Sequence, residues 1–233
     1  MPDTVVTFNG STVGLIVRGK SGPAHHPGVM EQHADCILSD GSPMGFFGEP
    51  VNGTPKGAAS SGVMSGGSSG AGTTAFSSFS PWGSVPGSII GGLVGSNANS
   101  VGMAMKGEVY DYGELRMKRL HYVDLGTAAA YKVVSTVLLV PVNAKQAADF
   151  DKYWRDLDNS PGSFNLLGGN CSTHASDGFI TAKLVSGGIP GLDTPDHLYE
   201  QLAAAFPAAT TMSGYVGFTA NSTGKGYTMT VRT

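Results

Sequence analysis

The fold of this chain is most constrained by a stretch of 49 residues, 57–105, that contains no Asp, Glu, Lys, Arg or His. Twelve of these residues are Gly and twelve are Ser, a composition typical of flexible linkers. The stretch also contains large apolar side chains, among them Phe76, Trp82 and Ile89, which a solvated linker does not need. We therefore expect a single domain, residues 1–233, with an insertion at 57–105 that packs partly on it; the alternative is a disordered linker.

The composition of the whole chain limits its function classes. With 233 residues, the chain is long enough to bury a hydrophobic core. Lys and Arg number 14 against 17 for Asp and Glu, which argues against nucleic acid as a partner, because phosphate binding needs clustered basic side chains. No apolar run approaches the roughly 18–20 residues of a membrane helix, so we expect no stable membrane insertion. Two cysteines cannot form a disulfide scaffold, and we expect neither a metal nor a cofactor.

Hydrophobic periodicity and turn residues predict an α+β fold. The expected strands are 5–8 and 12–17, paired as a hairpin about Asn9-Gly10, then 33–39, 44–49, 108–112, 116–125, 131–142 and a hairpin within 214–233. Helices are expected at 143–157, 170–185 and 194–205. The first of these has the clearest signal, because Asn143 and Gln146 have the spacing of a capping box.

Cys171 is the candidate nucleophile. A Gly-Gly-Asn turn at 168–170 precedes it and places it in the first turn of a helix. At that position the free backbone N–H groups and the helix dipole favour a thiolate and can bind an oxyanion. A small buried cysteine is the alternative, and position by itself leaves both interpretations open.

His33 is the candidate base for that thiol. His174 follows Cys171 by three residues on the same helical face, but the base of a cysteine hydrolase usually faces the nucleophile from another element. His33 begins a strand in which alternation places Asp35 on the face of His33 and Cys36 on the opposite face, so Cys36 is expected in the core. The other histidines are expected to be solvated or structural: His25, His26, His121 and His197.

These motifs resemble those of the circularly permuted papain-like hydrolases, relatives of NlpC-type peptidoglycan peptidases and of lecithin retinol acyltransferase. The resemblance lies in the His strand that runs into Asp-Gly (33–41), the strand and helix at 131–157, and the Asn-Cys at a helix start (164–171). It covers roughly residues 30–50 and 107–190. The same combination is similar to type VI secretion effectors that attack the cell wall.

The resemblance implies a central antiparallel sheet packed by helices, with Cys171 as nucleophile and His33 as base. Asn170 and Ser172 would shape the oxyanion site, to which the Cys171 N–H contributes. Family members often carry a third polar residue on the next strand, where this chain has residues 44–47 with no suitable side chain. Pairing about residues 41–42 would bring Glu49 near His33, so Glu49 is expected to orient the imidazole; a dyad that uses a backbone carbonyl is the alternative.

The resemblance also implies a function. The expected reaction is amide hydrolysis in peptidoglycan stem peptides by an antibacterial effector, with a secretion-machine carrier and an immunity protein as partners. The first four residues, Met-Pro-Asp-Thr, do not begin a signal peptide, so we expect synthesis in the bacterial cytoplasm and delivery to the periplasm of a target cell. Alternatives are a Cys-dependent acyltransferase or lipid deacylase, and a non-catalytic binding or structural module.

Overall fold

The computed structural model describes residues 2–28, 32–50, 105–164, 169–186, 194–222 and 224–233. Residues 57–104 of the expected insertion lie outside these ranges. The expectation that the insertion packs on the domain therefore stays a prediction. The strands are β1 (Thr4–Thr7), β2 (Thr12–Arg18), β3 (His33–Ile37), β4 (Pro43–Pro50), β5 (Met105–Tyr110), β6 (Val134–Pro141), β7 (Ser163–Phe164), β8 (Thr210–Ala220) and β9 (Tyr227–Arg232).

The helices are α1 (Tyr112–Lys118), α2 (Leu125–Ala130), α3 (Ala144–Asn159), α4 (Cys171–Thr181) and α5 (Pro195–Ala205), with a 3-10 turn at Leu120–Tyr122. The strands form one sheet in the order β1-β9-β8-β6-β2-β3-β4-β5-β7, and all neighbouring strands run antiparallel. The expected α+β class with a large antiparallel sheet is confirmed.

Both faces of the sheet are covered by apolar side chains. On one face, Val13, Leu15 and Val17 of β2 pack in a core with residues of α3, α4 and α5. On the other face, Ile16 packs in a second core that includes Leu115 of α1 and Tyr122 of the 3-10 turn. The middle of the sheet is therefore shielded from water on both sides, and β3 lies there, beside β2.

The prediction of a hairpin at Asn9-Gly10 is wrong. Gly10 has the positive φ that such a turn requires, +86°, but β1 pairs with β9, and β2 pairs with β3 and β6. Four apolar residues of β2 have no exposed surface: Val13, Leu15, Ile16 and Val17. A strand with two buried faces is stabilised in the centre of a sheet, and that burial outweighs the local turn preference.

The strand expected at 116–125 is also wrong, since these residues lie in α1, the 3-10 turn and the start of α2. Two aspartates explain the helices. Asp111 forms a capping box with Glu114, and the Asp124 side chain accepts a hydrogen bond from the Thr127 N–H.

The helix expected at 143–157 is confirmed as α3. Its Asn143–Gln146 capping box is formed, and Ala147, Phe150 and Trp154 are buried on one face. The strand at 131–142 and the C-terminal hairpin are confirmed as β6 and as β8 with β9. α4 begins at Cys171 as expected and ends at Thr181, ahead of Lys183 with its left-handed φ of +57°.

Candidate active site

β3 directs alternate side chains to opposite faces of the sheet. Ala34 and Cys36 belong to the core beneath α3 and α4, whereas Ile37 belongs to the core on the other face. His33 lies on the face of Ile37, where its ring stacks on Phe47 with 4.4 Å between ring centroids. The alternation expected for this strand is therefore confirmed, and it places the candidate base His33 and the core residue Cys36 on opposite faces of the sheet.

The start of α4 lies where the ladder between β3 and β4 ends. This ladder runs from Ile37 opposite Pro43 to Asp35 opposite Gly45. The Leu38 N–H donates to the Ser42 carbonyl, so every second N–H of β3, including that of Ala34, points toward β4. The Ala34 N–H donates to the sulfur of Cys171. The first residue of α4 is thereby held against β3, next to His33.

Cys171 and His33 form a hydrogen-bonded and electrostatically coupled pair. Burial opposes charge on both groups. It is outweighed at His33, where the Cys171 thiolate and Asp35 raise the pKa to about 9. It is also outweighed at Cys171, where the charge and hydrogen bond of His33 and the Ala34 N–H lower the pKa of the thiol. The two groups therefore favour the thiolate–imidazolium state, the reactive form of a catalytic cysteine.

Asp35 orients the imidazole. His33 Nε2 lies 2.8 Å from Asp35 Oδ1, which leaves Nδ1 as the ring nitrogen for the Cys171 thiol. Asp35 has no exposed surface. Burial opposes its ionisation, but the charges of His33 and Arg18 hold the pKa of this carboxyl below its usual range. The result is a Cys171–His33–Asp35 series in which each member hydrogen bonds to the next.

Arg18 forms an ion pair with Asp35 through the carboxylate oxygen that does not contact His33. Its Nε donates to Asp35 Oδ2 at 2.8 Å, and its Nη2 donates to the Tyr122 carbonyl at 3.0 Å. The guanidinium also lies over the Tyr122 ring, 4.6 Å from its centroid. Arg18 is completely buried, as is Asp35, so the two charges compensate each other within the protein.

Two aromatic rings, which also lie close to each other, pack near His33. Phe47 stacks on it, and the Tyr122 ring lies 5.7 Å away at 26°. Only about 5% of the His33 surface is exposed. These rings shield the hydrogen bond between His33 and Asp35 from water, which strengthens it because the local dielectric is low.

Glu49 does not lie opposite His33, and the strand register expected from the sequence is wrong. Asp35 pairs with Gly45, which places the position opposite His33 at Phe47, while Glu49 pairs with Lys106 of β5. The turn is centred on residue 40 and not on 41–42 as assumed, because the Leu38 N–H donates to the Ser42 carbonyl. Asp35, on the same strand as His33, makes the contact with the imidazole that was expected of Glu49. The sequence signal for this contact was the spacing of two residues, which places His33 and Asp35 on the same face of a strand.

Asn170 and Ser172 hold the first turn of α4. The Asn170 side-chain oxygen accepts hydrogen bonds from the Thr173 N–H at 3.0 Å and from the Ser172 hydroxyl at 2.8 Å, so Asn170 is the helix N-cap. Because the first N–H groups of an α-helix have no acceptor within the helix, this turn can present N–H donors beside the Cys171 sulfur. The oxyanion roles expected of these residues stay a prediction.

The remaining histidines take other positions. His174 points to α3, with its Nδ1 3.0 Å from the Tyr153 hydroxyl, and burial lowers its pKa. Burial, followed by the charges of Arg18 and Arg119, lowers the pKa of His121 to about 4. His26 is exposed as expected, yet it contacts two carboxylates, those of Asp196 and Glu200.

The two cysteines should differ sharply in reactivity. Cys36 is fully buried, and desolvation raises the pKa of its thiol well above the usual value. We expect brief treatment with iodoacetamide near neutral pH to alkylate Cys171 and to leave Cys36 unmodified. Mass spectrometry of the alkylated peptides measures this, with Cys171→Ser as the control. Preferential labelling of Cys36 would contradict the assignment of the nucleophile.

Gly45 leaves the space that Asp35 occupies. A Cβ at this position would lie 2.3 Å from Asp35 Oδ1 and 2.7 Å from the Phe47 ring. We expect Gly45→Ala to displace Asp35 and to destabilise the fold by about 1–3 kcal/mol, as overpacking of a core does. Chemical denaturation measures the loss. Gly22→Ala is the matched control, because a Cβ there meets no atom within 4 Å; equal effects would contradict this account of Gly45.

Two further observations bear on the protein as a whole. Among the described residues, none of the helices has both the length and the apolar character that crossing a membrane requires. Comparison with protein-family models, with curated proteins and with solved structures finds no match for this chain.

Proposed function

We propose that this protein is a cysteine hydrolase of the permuted papain-like type that cleaves amide bonds. The observation that carries the proposal is the coupling of Cys171, at the start of a helix, to His33, which is itself hydrogen-bonded to Asp35. A nucleophile paired with a base that a third group orients is the arrangement that nucleophilic catalysis requires. The order along the chain, with the His strand before the Cys helix, agrees with the permuted form of the fold.

The reaction follows from the charge state of the pair. The Cys171 thiolate attacks the carbonyl carbon of the substrate, and the electrons of the C=O bond move to oxygen. N–H groups at the start of α4, including that of Cys171, donate to this oxyanion. His33 then gives its proton to the amine as the C–N bond breaks, which leaves a thioester on Cys171. Water adds to the thioester while His33 takes its proton, and the carboxylic acid and free thiolate are released.

The proposed substrate is the stem peptide of peptidoglycan, and the proposed role is that of an antibacterial effector. Both rest on the resemblance of the His strand and the Asn-Cys helix start to cell-wall hydrolases. An effector of this kind is made in the bacterial cytoplasm, reaches the periplasm of a target cell with a secretion-machine carrier, and is neutralised in the producer by an immunity protein.

Digestion of purified muropeptides, followed by mass spectrometry, tests the proposal. We expect cleavage products from the unaltered protein and none from Cys171→Ala, with Cys36→Ala as the control that removes the other thiol. Acylated or deacylated lipids, with intact muropeptides, would instead favour an acyltransferase or lipid deacylase that uses the same pair. Toxicity to target cells that survives replacement of both Cys171 and His33 would favour a non-catalytic binding module.

The rate of cleavage should have a bell-shaped dependence on pH. On the acid side, activity rises as Cys171 loses its proton, below the usual range of a thiol because its pKa is lowered. On the alkaline side, activity should fall near pH 9, since the His33 pKa is raised to about 9 and neutral His33 has no proton for the leaving amine. Initial rates measured across this range check the prediction. An activity that keeps rising beyond pH 9 would contradict the role of His33 as acid.

A further inference from the structure

The loop that follows β2 is fastened to the start of α5 by a buried lysine. Lys20 has no exposed surface. Its Nζ donates to Asp196 Oδ1 at 2.6 Å and to the His25 carbonyl at 2.5 Å. Lys20 therefore fixes both the carboxylate of Asp196 and the backbone next to His26.

Three potential metal ligands converge beside this lysine. His26 Nδ1 lies 2.8 Å from Asp196 Oδ2 and 3.3 Å from Glu200 Oε1, and the three ligand atoms all lie within 4.8 Å of one another. Ligand atoms about 2.0–2.1 Å from a tetrahedral Zn²⁺ are separated by about 3.3–3.4 Å. The two separations from His26, 2.8 and 3.3 Å, are below or close to this value, so an ion could be bound with small movements of the exposed His26 and Glu200 side chains.

Several further features favour a metal ion over a simple ion pair. Lys20 occupies one oxygen of Asp196 and leaves the other directed at His26, as the outer hydrogen-bond partners of metal-binding carboxylates do. Asp196 and Glu200 are four residues apart on α5, on one face of the helix. His26 is 63% exposed, which leaves room for a water as the fourth ligand.

We propose that His26, Asp196 and Glu200 form a binding site for a divalent cation of the zinc class. An imidazole with two carboxylates suits Zn²⁺ or a neighbouring transition metal, whereas Ca²⁺ and Mg²⁺ prefer six or more oxygen ligands. The two carboxylates and Lys20 leave the site with one net negative charge before the metal binds. His26 would bind the metal through Nδ1.

Gln32 links this site to β3, the strand that begins at His33. The Asp196 N–H donates to the Gln32 side-chain oxygen at 2.8 Å, and Gln32 Nε2 donates to the Pro27 carbonyl at 2.6 Å. Gln32 immediately precedes His33 in the chain. Gln32 therefore joins the start of α5 to the 19–28 loop immediately before β3. A bound ion, held by His26 of this loop and by Asp196 and Glu200 of α5, would strengthen the same attachment.

Zinc binding to the full chain, without an affinity tag, tests the proposal independently of any hydrolysis. The measurement uses Cys171→Ser as the parent protein, because a thiol beside an imidazole also binds zinc. In competition with a chromophoric chelator, we expect one Zn²⁺ per chain, and an affinity at least about 10-fold weaker in His26→Ala and in Glu200→Gln. His197→Ala, on the same helix, is the matched control and should bind as the parent does. In nitrogen NMR of the parent protein, the resonance of His26 Nδ1 should shift when Zn²⁺ is added.

Two results would overturn the proposal. Absence of zinc binding at micromolar concentration would identify the three residues as an ion pair only. Zinc binding that is unchanged by His26→Ala and Glu200→Gln would place the metal elsewhere on the chain. Neither result would bear on the Cys171–His33 pair, since the parent protein has no reactive thiol at position 171.

Discussion

Replacement of His33 with Ala is expected to slow the alkylation of Cys171 at pH 6. Without the imidazolium, burial dominates and the pKa of the Cys171 thiol rises. In a thiol that is mostly protonated, each unit of this rise lowers the thiolate fraction about 10-fold and raises the nucleophilicity of the remaining thiolate about 3-fold, because the Brønsted slope is about 0.4–0.5. The expected net loss of rate is therefore about 3-fold for each unit by which the pKa rises.

Second-order rates with iodoacetamide at pH 6 and at pH 10 measure this effect. At pH 10 the variant should no longer be the slower protein, because both thiols are then largely ionised and the thiolate of higher pKa is the more nucleophilic. His174→Ala is the matched control, since His174 is one helical turn from Cys171 but contacts Tyr153 instead. A His33→Ala variant that retains the rate of the unaltered protein at pH 6 would mean that His33 does not ionise Cys171.

Removal of Arg18 should have the largest effect on stability. Its guanidinium and the Asp35 carboxylate are both fully buried, with 2.8 Å between Arg18 Nε and Asp35 Oδ2. Deleting one member of a buried ion pair leaves the other charge uncompensated, which typically costs about 3–5 kcal/mol. We expect Arg18→Met to lower the free energy of unfolding by this amount, as measured by urea denaturation.

A double-mutant cycle separates the ion pair from packing. Arg18→Met with Asp35→Asn removes both charges, so the double variant should lose less than the sum of the two single losses. Arg232→Met is the matched control, because Arg232 binds Asp3 at the surface, where solvent screens the pair; its urea midpoint should stay close to that of the unaltered protein. Equal losses for the buried and the exposed arginine would contradict the account of Arg18.

The pairing of Cys171 with His33 was predicted partly from local signals at the two residues and partly from the resemblance to the permuted papain-like hydrolases. The Gly-Gly-Asn turn predicts a helix start at Cys171, and alternation within β3 separates His33 from Cys36. The third member could not be predicted in the same way. Glu49 was expected on the basis of a strand register, and a turn centred on residue 40 instead of 41–42 moves the partner of His33 to Phe47.

Arg18 illustrates a second kind of contact that is hidden in the sequence. It ends β2, 17 residues before Asp35, and the two meet only because β2 and β3 pair antiparallel with Arg18 opposite His33. No local pattern indicates that an arginine will be completely buried, since arginine is usually exposed. The same holds for β1, whose partner is the last strand of the chain. Long-range pairing decides these contacts, whereas capping and periodicity, which are local, correctly predicted α3.

The most direct test of the central claim, a thiolate–imidazolium pair at Cys171 and His33, is titration of the thiolate absorbance in the ultraviolet as a function of pH. The difference between the unaltered protein and Cys171→Ser isolates the contribution of this one residue. We predict a thiolate signal that appears at a lower pH than that of an ordinary thiol, because His33 lowers the pKa of Cys171, and that moves to higher pH in His33→Ala. A Cys171 signal that appears only at the alkaline pH of an ordinary thiol, and at the same pH in both proteins, would contradict the claim.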